Sequence, residues 1–401
     1  MNRKEKLPTD WDRVKLRKLV AIDKESLGAK TPPDYEFLYA SLSDVNSGVI
    51  NRDLPLIKFS DAPSRARRKV KKGDVLFSTV RPNLEGYARI NGQVSNLIAS
   101  TGFAVLSPKE ITDTDFIYQY LYSYDIKRQI YALVVGSNYP AVNSSDVANL
   151  KFSIPKSTSE RQAIATLLST WDEAIEKTER LIQAKERQKL GELHSRISSQ
   201  KANSTIGAFA KPVVRKVDKP EESYVAVGIR SHFKGTFQRL VEDPRTVNMD
   251  SLYRVKENDL ILNITFAWEG AIALVKKEDE ECYVSHRFPT YEIKRSKAEP
   301  CFIRQLIMSS RMKYDLSNIS PGGAGRNRVL NKKDFLKMPI WLPDLEAQKN
   351  IGEYLGAIDK EIDLLKQLAD KYKTQKRGLM QKMLTGEWRV KPEIINQYME
   401  A

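Results

Sequence analysis

Apolar side chains recur at alternating steps of four and three along two stretches of the chain. Ile164, Leu168, Trp171, Ile175, Thr178 and Ile182 mark the first, and Ile351, Leu355, Ile358, Ile362, Leu365, Ala369 and Tyr372 the second. Such a narrow seam belongs to a coiled-coil helix. Each stretch opens after a proline, Pro155 or Pro343, which cannot lie inside the helix that follows it. Two long helices are therefore predicted, over 157–200 and 344–388. At about 1.5 Å per residue, roughly 40 residues make a rod of about 60 Å. Neither rod can hide its seam alone. The simplest solution packs them antiparallel, with Ile164, Leu168, Trp171, Ile175 and Ile182 against Ile351, Leu355, Ile358, Ile362 and Leu365. Each seam turns polar towards its end, at Lys185 and Lys189 or at Lys376. There the pairing is expected to loosen, or to be covered by another protein.

The two stretches are also copies of one another. Ile164, Leu168, Asp172 and Ile175 return with the same spacing as Ile351, Leu355, Asp359 and Ile362, an offset of 187 from 164 to 351. The register holds without a gap through Leu181 and Leu368, Gln188 and Gln375, Lys189 and Lys376, and Gly191 and Gly378. Agreement over that length indicates duplication. The segments ahead of the helices repeat more faintly. Phe37-Leu38-Tyr39, Gly48 and Ile50 align with Tyr224-Val225-Ala226, Gly235 and Phe237. Val70 to Phe77 likewise matches Val255 to Leu262, each reading as a polar turn that feeds a buried strand. A polar, glycine-containing loop then leads to a short strand ending in Ile154-Pro155 or Leu342-Pro343. The predicted fold class is α+β: a globular domain over 1–156, the first long helix over 157–200, a second globular domain over 201–343, the second long helix over 344–388 and a tail over 389–401. An internal pseudo-two-fold repeat relates the halves, and Ser198 to Ser204 has a linker's composition.

Charge narrows the choice of partner. The 401 residues carry 66 Lys+Arg against 51 Asp+Glu, a formal charge of +15, which favours a polyanion through counterion release. Nucleic acid fits better than an anionic membrane. The chain has no apolar run of about 18 residues, and Met1-Asn2-Arg3-Lys4-Glu5-Lys6 leads into no apolar signal core, so a cytoplasmic location and no membrane partner are expected. Seven basic and seven acidic side chains balance over 157–200, and eight against seven over 344–384, so the excess lies in the globular domains. Its densest run holds Arg65, Arg67, Arg68 and Lys69, candidates for phosphate contact. Base reading needs forked donors and acceptors on loops or helix ends that can enter a groove. On that criterion the candidates are Asn138, Tyr139, Arg230, His232, Lys234, Arg287, Arg326, Asn327 and Arg328.

Catalytic motifs do not emerge. The only Pro-Pro pair is Pro32-Pro33, without the flanking Asn/Asp and Tyr/Phe of an adenine methyltransferase, and no Gly-x-Gly follows a strand. Pro343-Asp344 lacks the Glu-x-Lys of a magnesium nuclease, and Gly322-Gly323-Ala324-Gly325 lacks the Gly-Lys-Ser/Thr ending of a P-loop. Cys282 and Cys301 are too few for a disulfide framework or a zinc site, and His194, His232 and His286 lie far apart. No catalytic residue, cofactor or metal is expected in the chain. Two other readings remain: a coiled-coil scaffold that binds no DNA, which leaves the charge unexplained, and a single-chain DNA-modifying enzyme, which needs a motif that is not there.

The order of two variable domains and two repeated helices resembles the specificity subunit of type I restriction-modification systems, over nearly the whole chain. Its most specific pieces are the opening Leu7-Pro8-x-x-Trp11-x-x-Val14-x-Leu16, the Ile154-Pro155 and Leu342-Pro343 entries to the helices, and the closing Leu379-Met380-Gln381-Lys382-Met383-Leu384-Thr385-Gly386-Glu387-Trp388-Arg389-Val390. The second half has Ile206-Gly207-Ala208-Phe209 where a counterpart of Trp11 would stand, a departure from the pattern. The resemblance implies that each globular domain is a target-recognition domain reading one half of a bipartite, interrupted sequence in double-stranded DNA. It implies helices that act as a ruler and dock two methyltransferase subunits, with restriction subunits completing the assembly. S-adenosylmethionine, ATP and Mg would serve those partner subunits.

Overall fold

Ser157 and Asp344, at equivalent places in the repeat, each begin a long helix by capping it. The Ser157 hydroxyl accepts from the backbone N–H of Glu160 (3.3 Å), and the Asp344 carboxylate from that of Ala347 (2.8 Å). Both satisfy donors that a first helical turn leaves open. The computed structural model describes residues 7–46, 48–51, 53–92, 95–134, 140–320 and 328–396. In chain order the first elements are β1 Trp11–Lys15, β2 Val20–Ile22, β3 Glu36–Ala40, β4 Val45–Asn46, β5 Val49–Ile50, β6 Leu56–Lys58, β7 Ala66–Val70, β8 Val75–Ser78, β9 Tyr87–Arg89, β10 Leu97–Ser100 and β11 Phe103–Pro108. Helices α1 Thr114–Leu121, α2 Tyr124–Val134 and α3 Ser144–Asn149 follow, then β12 Lys151–Pro155 and the long α4 Thr158–Leu193. The second series is β13 Ser204–Thr205, α5 Ile206–Phe209, β14 Ala210–Val213, β15 Lys216–Asp218, β16 Tyr224–Ile229, β17 Thr236–Val241, β18 Ser251–Arg254, β19 Leu260–Leu262, β20 Ile272–Leu274, β21 Tyr283–Val284 and β22 Thr290–Ile293. It closes with α6 Pro300–Leu306, α7 Ser310–Asn318, α8 Lys332–Lys337, β23 Pro339–Ile340, the long α9 Leu345–Met383 and α10 Pro392–Asn396.

These elements form two compact units, one of residues 1–178 with 368–401 and one of residues 179–367. Unit 1 holds two four-stranded sheets, ordered β6-β3-β10-β7 and β2-β11-β8-β9. All of β8 is buried, and its alternation serves two cores. Val75 and Phe77 join Phe116, Ile117 and Tyr120 of α1, while Leu76 joins Val70, Leu97 and Val105 in a second cluster. Burial pushes the Tyr120 phenol up to about 12, so it stays protonated and donates to Asp125 (3.1 Å).

Unit 2 repeats the plan. Its sheet β14-β22-β19-β20 matches β2-β11-β8-β9 strand for strand, and a five-stranded sheet, β15-β18-β21-β16-β17, stands in place of the other. Ile261 of β19 packs with Val227, Val255, Ala273 and Val284 in its core. The turn that feeds the central strand is the same in both halves. Gly73 and Asn258 take φ of 89° and 64°, and the following carboxylates, Asp74 and Asp259, accept from Lys71 N and Lys256 N, each at 2.8 Å. Asparagine tolerates the left-handed conformation that glycine favours, which is why either residue closes this turn.

The long helices meet antiparallel within each unit. In unit 1, Ile164 and Leu168 of α4 are fully buried with Met380, Met383 and Leu384 at the far end of the chain. Trp171 lies edge-on to Tyr372, ring centroids 5.7 Å apart, and Asp172 accepts from Lys376 at 2.5 Å. In unit 2, Ile182, Leu355, Ile358 and Ile362 are buried, Lys185 pairs with Glu361 (2.9 Å), and Lys189 pairs with Asp359. Ile175, Ile351 and Leu365 are half-buried. The seams do not loosen at their lysines as expected. Lys189 is buried, and burial lowers the affinity of Lys376 for its proton although Asp172 opposes the shift. An ammonium on a long apolar stem continues the seam once a carboxylate meets it.

The second helix ends at Met383, short of the expected 388. Gly386 follows with φ of 76°, and Gly386 N and Trp388 N donate back to Met383 O (3.2 Å) and Lys382 O (3.0 Å), a turn that terminates the helix. The chain then crosses unit 1, where the Arg389 guanidinium donates to Glu160 (2.7 and 2.9 Å) and Asp10 (2.5 and 3.1 Å). The first helix is α-helical to Leu193 and continues as π-helix over His194–Ser198.

Candidate nucleic-acid interface

Where β19 ends, the chain of unit 2 makes a loop, Asn263 to Gly270, before returning as β20. The loop is internally braced: Asn263 Oδ1 accepts from Thr265 N (3.0 Å), and the Trp268 indole donates to Thr265 O (3.1 Å). Phe266 stands exposed at its outer side. Three other segments converge on it. The turn between β16 and β17 docks through His232 N to Glu269 O (2.8 Å) and Phe233 N to Gly270 O (2.9 Å), with Ser231 Oγ on the Glu269 carboxylate (2.8 Å). Arg287 donates to Thr265 Oγ1 (3.2 Å). Arg328 stacks over the Trp268 ring at 5.2 Å and donates to the carbonyls of Ser320 (3.1 Å) and Ser317 (3.4 Å) at the C-terminal end of α7.

The structure thus gathers Arg230, His232, Lys234, Arg287 and Arg328, five candidates scattered over a hundred residues of sequence, around one loop. Arg230, His232, Lys234 and Arg287 are exposed. Arg230 lies over the Phe237 ring at 5.1 Å. Arg328 is committed to the fold by its three contacts, so its guanidinium is less available to a base than the sequence suggests. Arg326 and Asn327 lie outside the described residues, as do Asn138 and Tyr139.

Unit 1 presents the same arrangement. After β8, residues Thr79 to Gly86 form a loop that returns as β9. Arg81 N donates to Pro140 O (2.8 Å) and Val142 N to Thr79 O (2.9 Å), much as Leu330 N donates to Ile264 O (2.9 Å) in unit 2. Leu84 is exposed at the outer side. The basic run sits elsewhere, on the edge strand β7. There Arg65 and Lys69 are exposed, Arg67 stacks over Phe59 at 4.8 Å, and Arg68 is ion-paired to Asp23 at 2.9 Å. Sequence reasoning missed both loops and Arg81, Phe266 and Trp268 with them. The signal available was the repeated strand over Val70 to Phe77 and Val255 to Leu262, which ends where each loop begins.

A sequence profile described as the type I restriction modification DNA specificity domain matches twice, at residues 8–186 and 219–373. The chain belongs to that family. This specificity chain is a DNA-recognition subunit with two copies of the domain, one centred on each unit. It is 23% identical to a Methanocaldococcus jannaschii protein named as the type I restriction enzyme MjaX specificity subunit, over 96% of this chain and 95% of that one. It is 29% identical to the MjaVIII specificity subunit of the same organism over 41% of this chain and 39% of the relative. Among solved structures, a chain from work on complex assembly and conformational transition of a type I R-M system superposes with TM-score 0.61 at 20% identity, over 96% of this chain and all of that one. The S subunit from M. genitalium does so with TM-score 0.60 at 14% identity, over 96% and 99%. Both confirm the α+β architecture. Among the described residues no helix of the specificity chain is long and apolar enough to cross a membrane. Burial pushes the Cys282 and Cys301 thiols up, which keeps them protonated.

Proposed function

We propose that this specificity chain reads an interrupted, two-part target in double-stranded DNA, each unit engaging one half, and that it performs no chemistry itself. The observation that carries this reading is the duplicated loop. Thr79 to Gly86 and Asn263 to Gly270 leave equivalent strands, each with a large apolar side chain exposed, and unit 2 surrounds its loop with cationic side chains. Methyl transfer from S-adenosylmethionine, and ATP- and Mg-dependent cleavage, then fall to modification and restriction subunits in the cytoplasm. The long helices support the docking of two modification subunits. Leu167 with Tyr354, and Leu181 with Leu368, hold equivalent places in the repeat, and all four remain 37–44% exposed. Apolar positions kept open twice in the same register suit two copies of one partner.

The test is co-expression of this chain with its modification subunit, followed by single-molecule sequencing of host DNA for methylated adenines. A two-part motif with a fixed gap, lost when this chain is deleted, is the expected result. A stable complex without any motif would favour a scaffold, and methylation by the chain alone would make it an enzyme.

A further inference from the structure

The hairpin β16–β17 differs from the other strand pairs of unit 2. It pairs over six residues, Tyr224 with Val241 through Ile229 with Thr236, and β17 forms the edge of its sheet. Phe237, Gln238, Arg239 and Leu240 are exposed at four consecutive positions. A strand lying on a core would hide alternate residues; here the face with Phe237 and Arg239 is open, while Thr236 and Gln238 on the other face are bonded to Asp279. From Tyr224 to Val241 the hairpin carries Arg230, His232, Lys234 and Arg239 and no carboxylate. Its apex is fixed. His232 and Phe233 both hold left-handed backbone, φ 61° and 58°, and both donate to the Glu269–Gly270 segment as described above.

We infer that the β16–β17 ribbon is the element with which unit 2 enters the major groove of its half-site, with Arg239 and Phe237 as reading side chains. The inference rests on the two-half reading and names the element that does the reading in one half. A two-stranded β element fits the roughly 12 Å width of the B-DNA major groove; here β16 turns Val227 and Ile229 into the core, so the opposite face of the pair, at the sheet edge, is the one presented. Alternation puts Phe237 and Arg239 on one face. There the Phe237 ring lies across Gly228, the residue opposite it, where any larger side chain would collide with the ring, and Arg230 covers it at 5.1 Å. Arg239 makes no side-chain hydrogen bond or ion pair with a described residue, leaving its fork free for O6 and N7 of a guanine, and a braced aromatic ring beside it suits a thymine methyl. Gln238, by contrast, is tied to Glu278 O (2.7 Å) and Asp279 (3.1 Å). Lys234, at the apex, reaches for phosphate. Among the described residues of unit 1 the equivalent edge pair is shorter: β6, the edge strand beside β3, pairs over three residues, Glu36 with Lys58 through Leu38 with Leu56. The edge pair that would read the half-site of unit 2 is therefore longer than its counterpart in unit 1.

The test compares Arg239→Ala, Arg239→Lys and Phe237→Ala in the full chain assembled with its modification subunits, by methylated-base sequencing and duplex binding, with thermal unfolding as the control for folding. Arg239→Ala is expected to relax one guanine position of one half-site by about tenfold or more, leaving the other half unchanged. Arg239→Lys is expected to restore affinity without that preference, because lysine lacks the fork. An unchanged motif, or equal weakening of both halves at unaltered stability, would overturn the assignment. Absence of any two-part motif from the unaltered chain would overturn the underlying reading, and the ribbon's role with it.

Discussion

Lys376 donates through Nζ to Oδ1 of Asp172 at 2.5 Å, and the same two positions of the repeat meet again as Lys189 and Asp359. The resemblance extends one shell further. Gln119 Nε2 donates to the other oxygen of Asp172 at 2.6 Å, and Gln305 Nε2 to the other oxygen of Asp359 at 3.0 Å. A seam made only of Ile and Leu tolerates sliding by a heptad. A buried ammonium does not, because sliding leaves it without its carboxylate. Each unit thus carries one polar triad that fixes the register of its helix pair.

Asp172→Asn or Lys376→Met alone should destabilise unit 1 by about 2–3 kcal/mol, below the full cost of an orphaned buried charge because Asp172 keeps a third of its side chain exposed. The double change Asp172→Asn with Lys376→Met should recover most of the loss. Urea unfolding of the four proteins decides it, and additive losses would refute the coupling.

Acid should open the clasp at the chain's end. The Arg389 guanidinium bonded to Asp10 holds that carboxyl below its ordinary 3.8, so the folded state binds this proton less readily than the unfolded chain. The contribution is present above pH 3.8 and is lost as pH falls through the lowered value. Arg389→Gln should flatten this part of the stability profile below pH 3.8, measured by thermal unfolding against pH.

Gly386→Ala should cost at least about 1 kcal/mol. The position needs φ of 76°, and a Cβ there would come within 2.6 Å of Pro8. Thermal unfolding should show the loss. An unchanged midpoint would mean that the turn after Met383 contributes little to holding the two ends of the chain together.

Arg328→Ala should lower stability by about 1–2 kcal/mol, since it removes two carbonyl contacts and the stack on Trp268. Any loss of binding should be confined to the half-site of unit 2 and should parallel that loss of stability. Weakened binding at full stability would instead make Arg328 a direct contact.

Leu181→Glu with Leu368→Glu should reduce capture of modification subunits at least about tenfold while moving the stability of the free chain by less than about 0.5 kcal/mol. Size-exclusion chromatography of the mixed subunits reads the first and urea unfolding the second. Undiminished assembly would place the docking surface elsewhere.

Much of the architecture is legible in the amino-acid sequence. A heptad seam is a local, periodic signal, so Ile164, Leu168, Leu355 and Ile362 announce paired helices by spacing alone, and the 187-residue offset doubles the evidence. The limits of the helices were less legible: nothing in Leu384 to Trp388 opposes helix strongly except Gly386, and its role depends on Pro8 at the other end of the chain. One arginine of the basic run shows a related limit. Arg68 looks like a phosphate ligand in sequence, yet Asp23, far away along the chain, neutralises it.

What the sequence determined by itself was the duplication, the helical seams and the excess of positive charge in the globular parts, because each is carried by neighbours in the chain or by simple counting. Only the tertiary structure decided which charges remain free, that the seam lysines close the helix pairs instead of loosening them, and that Arg230, His232, Arg287 and Arg328 surround one loop. Those properties depend on groups between 22 and 204 residues apart in sequence arriving in contact, and pairwise electrostatics at such contacts leaves no periodic trace in the order of residues.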